Sequence, residues 1–132
     1  MQDPRSLLIT GASSGIGEAL ALAYAAPGIR LALTGRDGAR LETVAVACRR
    51  RGAIAQAATV DVTDADAMAR WIEGLDVASP IDLVIANAGI GAGTEGGFET
   101  AEQTRAVFAV NLSGVLNTVL PLVPRFVARR RG

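Results

Sequence analysis

The stretch Ser6–Gly17, SLLITGASSGIG, decides the fold. Its first five residues are short and almost wholly apolar, as befits a strand covered on both faces of a parallel sheet. Glycines at 11, 15 and 17 and then an Ala- and Leu-rich run follow, so the chain leaves the strand through a tight turn and enters a helix. Gly11 can take the backbone angles of such a turn, while Gly15 and Gly17 carry no side chain to hold a ligand or the sheet away from the helix start. A helix N-terminus offers unpaired N–H groups and the positive end of a dipole, which suits a pyrophosphate. The spacing G-x3-G-x-G is not the common G-x-G-x-x-G fingerprint. The reading therefore rests on context: a strand before, an apolar helix after, and a second strand about twenty residues on.

Working outward, the helix is expected over Ile16–Ala26, stopped by Pro27-Gly28. Ile29–Thr34 reads as the second strand, and Asp37 as the cap of a helix whose inner face is Leu41, Val44, Ala45 and Cys48. Ile54–Val60 is a third strand, and Thr63 or Asp64 caps a helix carrying Met68, Trp71 and Ile72. Asp76–Pro80 reads as a loop, Ile81–Ala86 as a fourth strand, and Gly91–Gly97, with four glycines in seven residues, as a loop past a strand end. Open α/β sheets place their ligands there. From about Thr100 the chain is helical nearly to its end, with Pro121 and Pro124 bending or interrupting it. Four alternating strands and helices make the class α/β. In the order 3-2-1-4 the apolar fourth strand becomes an edge, so the chain reads as the first part of a larger domain.

Composition narrows the function. The 132 residues hold 13 acidic and 13 basic residues, all of the latter arginine, which gives no sign of a nucleic-acid partner. Arg49–Arg51 and Arg129–Arg131 end expected helices, where cations complement the dipole. One cysteine and no histidine leave neither an intrachain disulfide nor a conventional zinc site. MQDPR is not a signal peptide and no run of 18 apolar residues marks a membrane span, so the expectation is a soluble, cytoplasmic protein.

ITGASSGIG resembles the T-G-x3-G-x-G cofactor signature of the short-chain dehydrogenase/reductase family. The resemblance continues in register through LALTGRD, DVTD, NAG and VNLSG, and so covers the whole chain. It implies a Rossmann-type doubly wound sheet in three α/β/α layers, of which residues 1–132 are the N-terminal part. Gly11, Ser13, Ser14, Gly15, Ile16 and Gly17 would form the pyrophosphate turn. Asp61 would receive the adenine amino group, with Val62 against the ring. Asn87, Ala88 and Gly89 would border the cofactor ribose. Asn111 would be the catalytic asparagine, opening its helix and holding a water in a proton relay. Without the resemblance Asp61 is equally a loop cap, and Asn111 a surface helix residue.

The same comparison sets the cofactor and the limits. An NAD-preferring site would carry a carboxylate at Gly35, where there is none, and Arg36 beside it can pair with a 2′-phosphate. NADP is thus favoured over NAD. The family's catalytic serine, tyrosine and lysine are missing: there is no lysine, and the one tyrosine, Tyr24, lies in the first helix. A phenol of pKa about 10 needs a cationic neighbour to exchange protons near neutrality. The expected function is an NADP-dependent oxidoreductase acting on an alcohol or carbonyl substrate, these residues alone being inactive and self-associating through the helix at 100–131. Two alternatives stay open: a non-catalytic nucleotide-binding or scaffold protein, and an enzyme whose site is completed by another chain.

Overall fold

The computed structural model describes residues 4–91 and 98–132. Most of the glycine-rich loop expected at Gly91–Gly97 therefore lies outside the described residues. Four parallel strands, β1 (Ser6–Thr10), β2 (Arg30–Thr34), β3 (Ile54–Ala58) and β4 (Leu83–Ile85), form one sheet in the order β3-β2-β1-β4. Leu8 of β1 lies opposite Ala32 of β2 and Val84 of β4, so the register is continuous across the centre.

Side-chain alternation in the strands builds two cores. Leu7 and Ile9, with Leu31 and Leu33, face α1 (Gly15–Tyr24) and α2 (Gly38–Arg50), packing on Ala21, Leu41, Val44 and Cys48. Leu8 and Ala32 point the other way, onto Met68 and Ile72 of α3 (Ala65–Ala78) and onto Leu122. Asp37 caps α2 by accepting from the Arg40 N–H at 3.0 Å, and Asp64, not Thr63, caps α3 through Ala67 at 2.9 Å. β4 is only half-buried, as an edge should be.

Several boundaries differ from expectation. Helix α1 starts at Gly15 and ends at Tyr24, β2 begins at Arg30, and β3 stops at Ala58. β4 keeps only Leu83–Ile85; Asp82 N–H still donates to the Ser6 carbonyl, but two residues beyond either end side chains take the N–H groups. Ile81 N–H donates to Asp76 Oδ1 at 2.8 Å, and Asn87 N–H to Thr10 Oγ1 at 3.0 Å. Asp76 is not in a loop. It lies in the last turn of α3, buried, where it also takes Arg129 Nη1 at 2.8 Å and Arg125 Nη1 at 3.3 Å.

The C-terminal helix is four pieces. These are α4 (Ala101–Phe108), a π-helical turn (Ala109–Ser113), α5 (Gly114–Val119) and α6 (Val123–Arg129). Thr100 and Gln103 form a reciprocal capping box at its start. The prolines separate the last two pieces, with Pro124 in the first turn of α6, where its missing N–H costs nothing. Taken together, Ala101–Arg129 has the length and, at a mean hydropathy of 1.8 in its most apolar window, the composition to cross a membrane. It contains no unbroken run of 18 apolar residues, as expected, because Asn111, Ser113, Asn117 and Thr118 interrupt the pattern. Here the stretch is tied to α3 and to the segment that precedes it. Asn117 Nδ2 donates to the Val62 carbonyl at 2.9 Å, and Arg125 and Arg129 reach Asp76.

Candidate functional site

The ends of β1, β2, β3 and β4 converge on one cleft of about 280 Å³. Its base is the turn between β1 and α1. Gly11 (φ +66°) and Gly15 (φ +57°) adopt left-handed backbone that a side chain would strain. Gly17 answers a different demand. A Cβ there would run into the Gly11 carbonyl and lie 2.7 Å from Asn87 Nδ2, so helix and strand meet with no room for a methyl. Ser14 is the N-cap residue of α1 but its side chain makes no cap bond, so the helix's first N–H groups are not satisfied by it.

Two threonines carry the strand pairing past the end of the sheet. Thr10 Oγ1 accepts from the Asn87 and Ala88 N–H groups, each at 3.0 Å. Thr34 Oγ1 accepts from Val60 N–H and donates to Val60 O, both at 3.1 Å. Asn87 Nδ2 then donates to the Thr10 and Gly11 carbonyls at 3.2 and 3.4 Å, closing the far wall against the turn. Neither threonine was singled out from sequence. The signal was there in the matching strand ends Thr10-Gly11 and Thr34-Gly35.

Gly11, Ser13, Ser14, Ile16, Arg36, Asp61, Val62, Asn87, Ala88 and Gly89 all border the cleft, together with Thr34, Val60, Ile90 and Val110, which sequence reasoning had not named. Gly15, Gly17 and Asn111 are not in its lining. Val62 is nearly buried, pressed on by Gly114, so it belongs to the core as much as to the cleft. Ile16 is the opposite case, an isoleucine 72% exposed. Asp61 is exposed, and its Oδ1 accepts from Thr63 N–H at 2.9 Å and Thr63 Oγ1 at 2.8 Å. These two bonds, backbone first, outweigh a small burial penalty and, with the Arg36 guanidinium, hold the Asp61 carboxyl below its ordinary pKa. It is therefore an ionised acceptor on the same rim as a cation.

Asn111 sits in the π turn. Its Oδ1 accepts from Ile90 N–H at 2.8 Å and its Nδ2 donates to Ile90 O at 2.9 Å. The amide thus pairs with one backbone residue as a neighbouring strand would, holding the chain after β4 to the helix.

The chain matches the family model described as short chain dehydrogenase over residues 5–132. It belongs to that family. An uncharacterized oxidoreductase of Myxococcus xanthus (strain DK1622) is 37% identical over 129 residues, 97% of this chain and 51% of that protein. Among solved structures, a metagenomic short-chain oxidoreductase in complex with NADP is 32% identical with a TM-score of 0.86, over 97% of this chain and 59% of that one. NAD+-bound xylitol dehydrogenase is 25% identical with a TM-score of 0.88, over 97% and 50%. The chain thus spans about half the length of these short-chain dehydrogenase relatives.

A second recess, about 460 Å³, opens on the α3 side of β2 and β3 and is lined by Arg30, Gln56, Arg70 and Trp71 among others. It does not involve the glycine turn. In an open parallel sheet the ligand crevice lies beyond the carboxyl ends of the strands, which is where the first cleft is and the second is not.

Proposed function

We propose that this chain is the N-terminal, cofactor-binding part of an NADP-dependent oxidoreductase that interconverts an alcohol and a carbonyl compound. The observation that carries the reading is the end of β2, where a buried Gly35 and an exposed Arg36 border the cleft and no carboxylate stands at 35. The cradle fits a dinucleotide: glycine at 11 and 17 lets the start of α1 close against the end of β1 and the Asn87–Ala88 segment, and that helix start offers N–H donors to a pyrophosphate. Arg36 would pair with a 2′-phosphate through its fork of donors, and Asp61 would accept from the adenine amino group. Val62, Asn87, Ala88 and Gly89 would bound the adenine and ribose. When bound, the nicotinamide supplies or accepts the hydride. With its amide committed to Ile90, Asn111 would position the wall after β4. A water at that place would be held by carbonyls that the π turn frees from the helical ladder.

Among the described residues none supplies a titrating group at the nicotinamide end. Asn111 has no proton to give, and Tyr24 packs beside the core of α1 and α2. The 132 residues by themselves are therefore read as binding the adenosine half of the cofactor without turnover. The test is a titration with 2′,5′-ADP and 5′-AMP beside NADPH oxidation with a panel of ketones and aldehydes. The parent chain should favour 2′,5′-ADP, and Arg36→Ala should remove most of that preference, a charge-assisted pair being worth roughly 1.5–3 kcal/mol. Equal affinity for the two nucleotides would end the NADP reading. Turnover above a no-protein blank that Asn111→Ala abolishes would favour a site completed by another chain.

We read the protein as soluble and cytoplasmic, and the helix at 100–131 as the seat of self-association. What supports the second point is a stripe at near four-residue spacing, Phe108, Leu112, Leu116, Leu120, Val123 and Val127, all exposed. Four residues overshoot a 3.6-residue turn, and the wider π turn beneath the first half of the stripe offsets that drift. A second copy is the proposed occupant. Sedimentation should show a dimer or larger species that Leu116→Glu drives to monomer. A parent chain monomeric at every concentration would leave the stripe to a later segment of a longer chain.

A further inference from the structure

We propose that Ser13 sets the nucleotide preference by occupying the space in which any side chain at position 35 would have to stand. This deepens, and rests on, the NADP reading of the same cleft. Gly35 is buried at the end of β2, and its φ is not in the left-handed range. Glycine is thus not there for backbone freedom; an L-residue could adopt this conformation. It is there for room. A Cβ built on Gly35 lies 2.9 Å from Ser13 Oγ, 3.1 Å from Ser13 Cβ and 3.3 Å from Ser13 N. Turning the serine hydroxyl aside relieves only the first of these. Nor can the turn retreat, because Ala12 N–H donates to Thr34 O at 3.0 Å, fixing Ser13 against the residue that follows Thr34.

The carboxylate that would bind ribose hydroxyls is therefore opposed at 35, not merely missing: the Ser13 hydroxyl must turn aside and its Cβ and N must give by a few tenths of an ångström. A nucleotide meets Arg36 with no carboxylate at 35, while Asp37 on its other side is engaged in capping α2. Reaching the opposite preference takes two coupled changes, one to open the turn at 13 and one to install the acid at 35. Either change alone fails to do so.

The experiment is a double-mutant cycle in this chain, read by calorimetric titration with 2′,5′-ADP and 5′-AMP and by circular dichroism. Gly35→Ala, which adds one methyl, should weaken both nucleotides by on the order of tenfold, since overpacking displaces the turn that both use. In the Ser13→Gly background the same alanine should cost less than about twofold. Ser13→Gly with Gly35→Asp should bind 5′-AMP in preference to 2′,5′-ADP, whereas Gly35→Asp alone should bind neither well. If Gly35→Ala fails to fold, recovery of the native spectrum on adding Ser13→Gly supports the proposal, and no recovery overturns it. Parent-like binding by Gly35→Ala, or an equal loss with and without Ser13→Gly, also overturns it. A parent chain with no preference for 2′,5′-ADP would instead defeat the NADP reading, and the coupling between 13 and 35 would stand or fall on the alanine arms of the cycle.

Discussion

Gly17→Ala is expected to unfold the glycine turn and abolish nucleotide binding, although it adds a single methyl group. Gly17 is buried at the point where α1 crosses the end of β1. Its new Cβ would meet the Gly11 carbonyl and Asn87 Nδ2, and neither can yield cheaply. The Gly11 carbonyl is backbone in a left-handed turn, and Asn87 Nδ2 is held by the Thr10 and Gly11 carbonyls. Overpacking costs typically about 1–3 kcal/mol, and a backbone obstacle puts this position at or above the top of that range. Against a domain stability of about 5–15 kcal/mol the loss is large. Gly15→Ala makes the informative contrast. A Cβ at Gly15 meets nothing within 4 Å, so its cost is confined to left-handed strain of about 1–2 kcal/mol. Urea melts of the two variants should rank Gly17→Ala well below Gly15→Ala. The reverse order would mean that conformation, not close approach, governs the turn.

The second large effect is at Asp76. Asp76→Ala leaves the Ile81 N–H without its acceptor and takes the buried acceptor from Arg125 and Arg129, which keep only Glu73 and the Ile81 carbonyl between them, so the hold of α6 on α3 weakens. Breaking a buried pair from one side costs about 3–5 kcal/mol; the two arginines keep 31% and 26% of their side chains in solvent, so about 3 kcal/mol is expected. The carboxyl also sets an acid limb. Burial pushes its pKa up, but the bond from Arg129, the bond from Ile81 N–H and the charges of both arginines together bring it below the ordinary value. A carboxyl depressed in the folded state contributes stability that is present above its unfolded pKa of about 3.9 and is lost as pH falls through the folded value. Melts of the parent should therefore steepen in their loss of stability below about pH 4, and Asp76→Asn should show a lower plateau with a shallower limb. Parallel limbs in the two proteins would assign the acid response elsewhere, Asp61 being depressed in the same sense.

What sequence could and could not reveal divides along contact distance. The alternation of strands and helices followed from local patterns, because each apolar segment and its following helix announce themselves within about a dozen residues, whereas their doubly wound arrangement came with the family resemblance. Both capping aspartates were within reach for the same reason, a cap and its N–H donor being three residues apart. Asp76 was misread because its neighbours Gly74, Ser79 and Pro80 look like a loop, while the arginines that justify burying it are 49 and 53 residues away. Asn111 was named through the family resemblance, but its partner Ile90, 21 residues off, left no local trace. The cleft's glycines were legible as a set. Which of them answer to φ, and which to a wall of other atoms, took coordinates to separate.

The hydroxyls of Thr10 and Thr34 have one more consequence. Where the sheet's ladder ends, they keep neighbouring chains at a fixed separation: β1 to the segment after β4, and β2 to the segment after β3. The mouth of the crevice is thus pinned by four hydrogen bonds that need no guest. Its shape is settled when the chain folds, so the entropy of forming it is charged to folding and not to association. A nucleotide arriving there orders itself against a rigid frame.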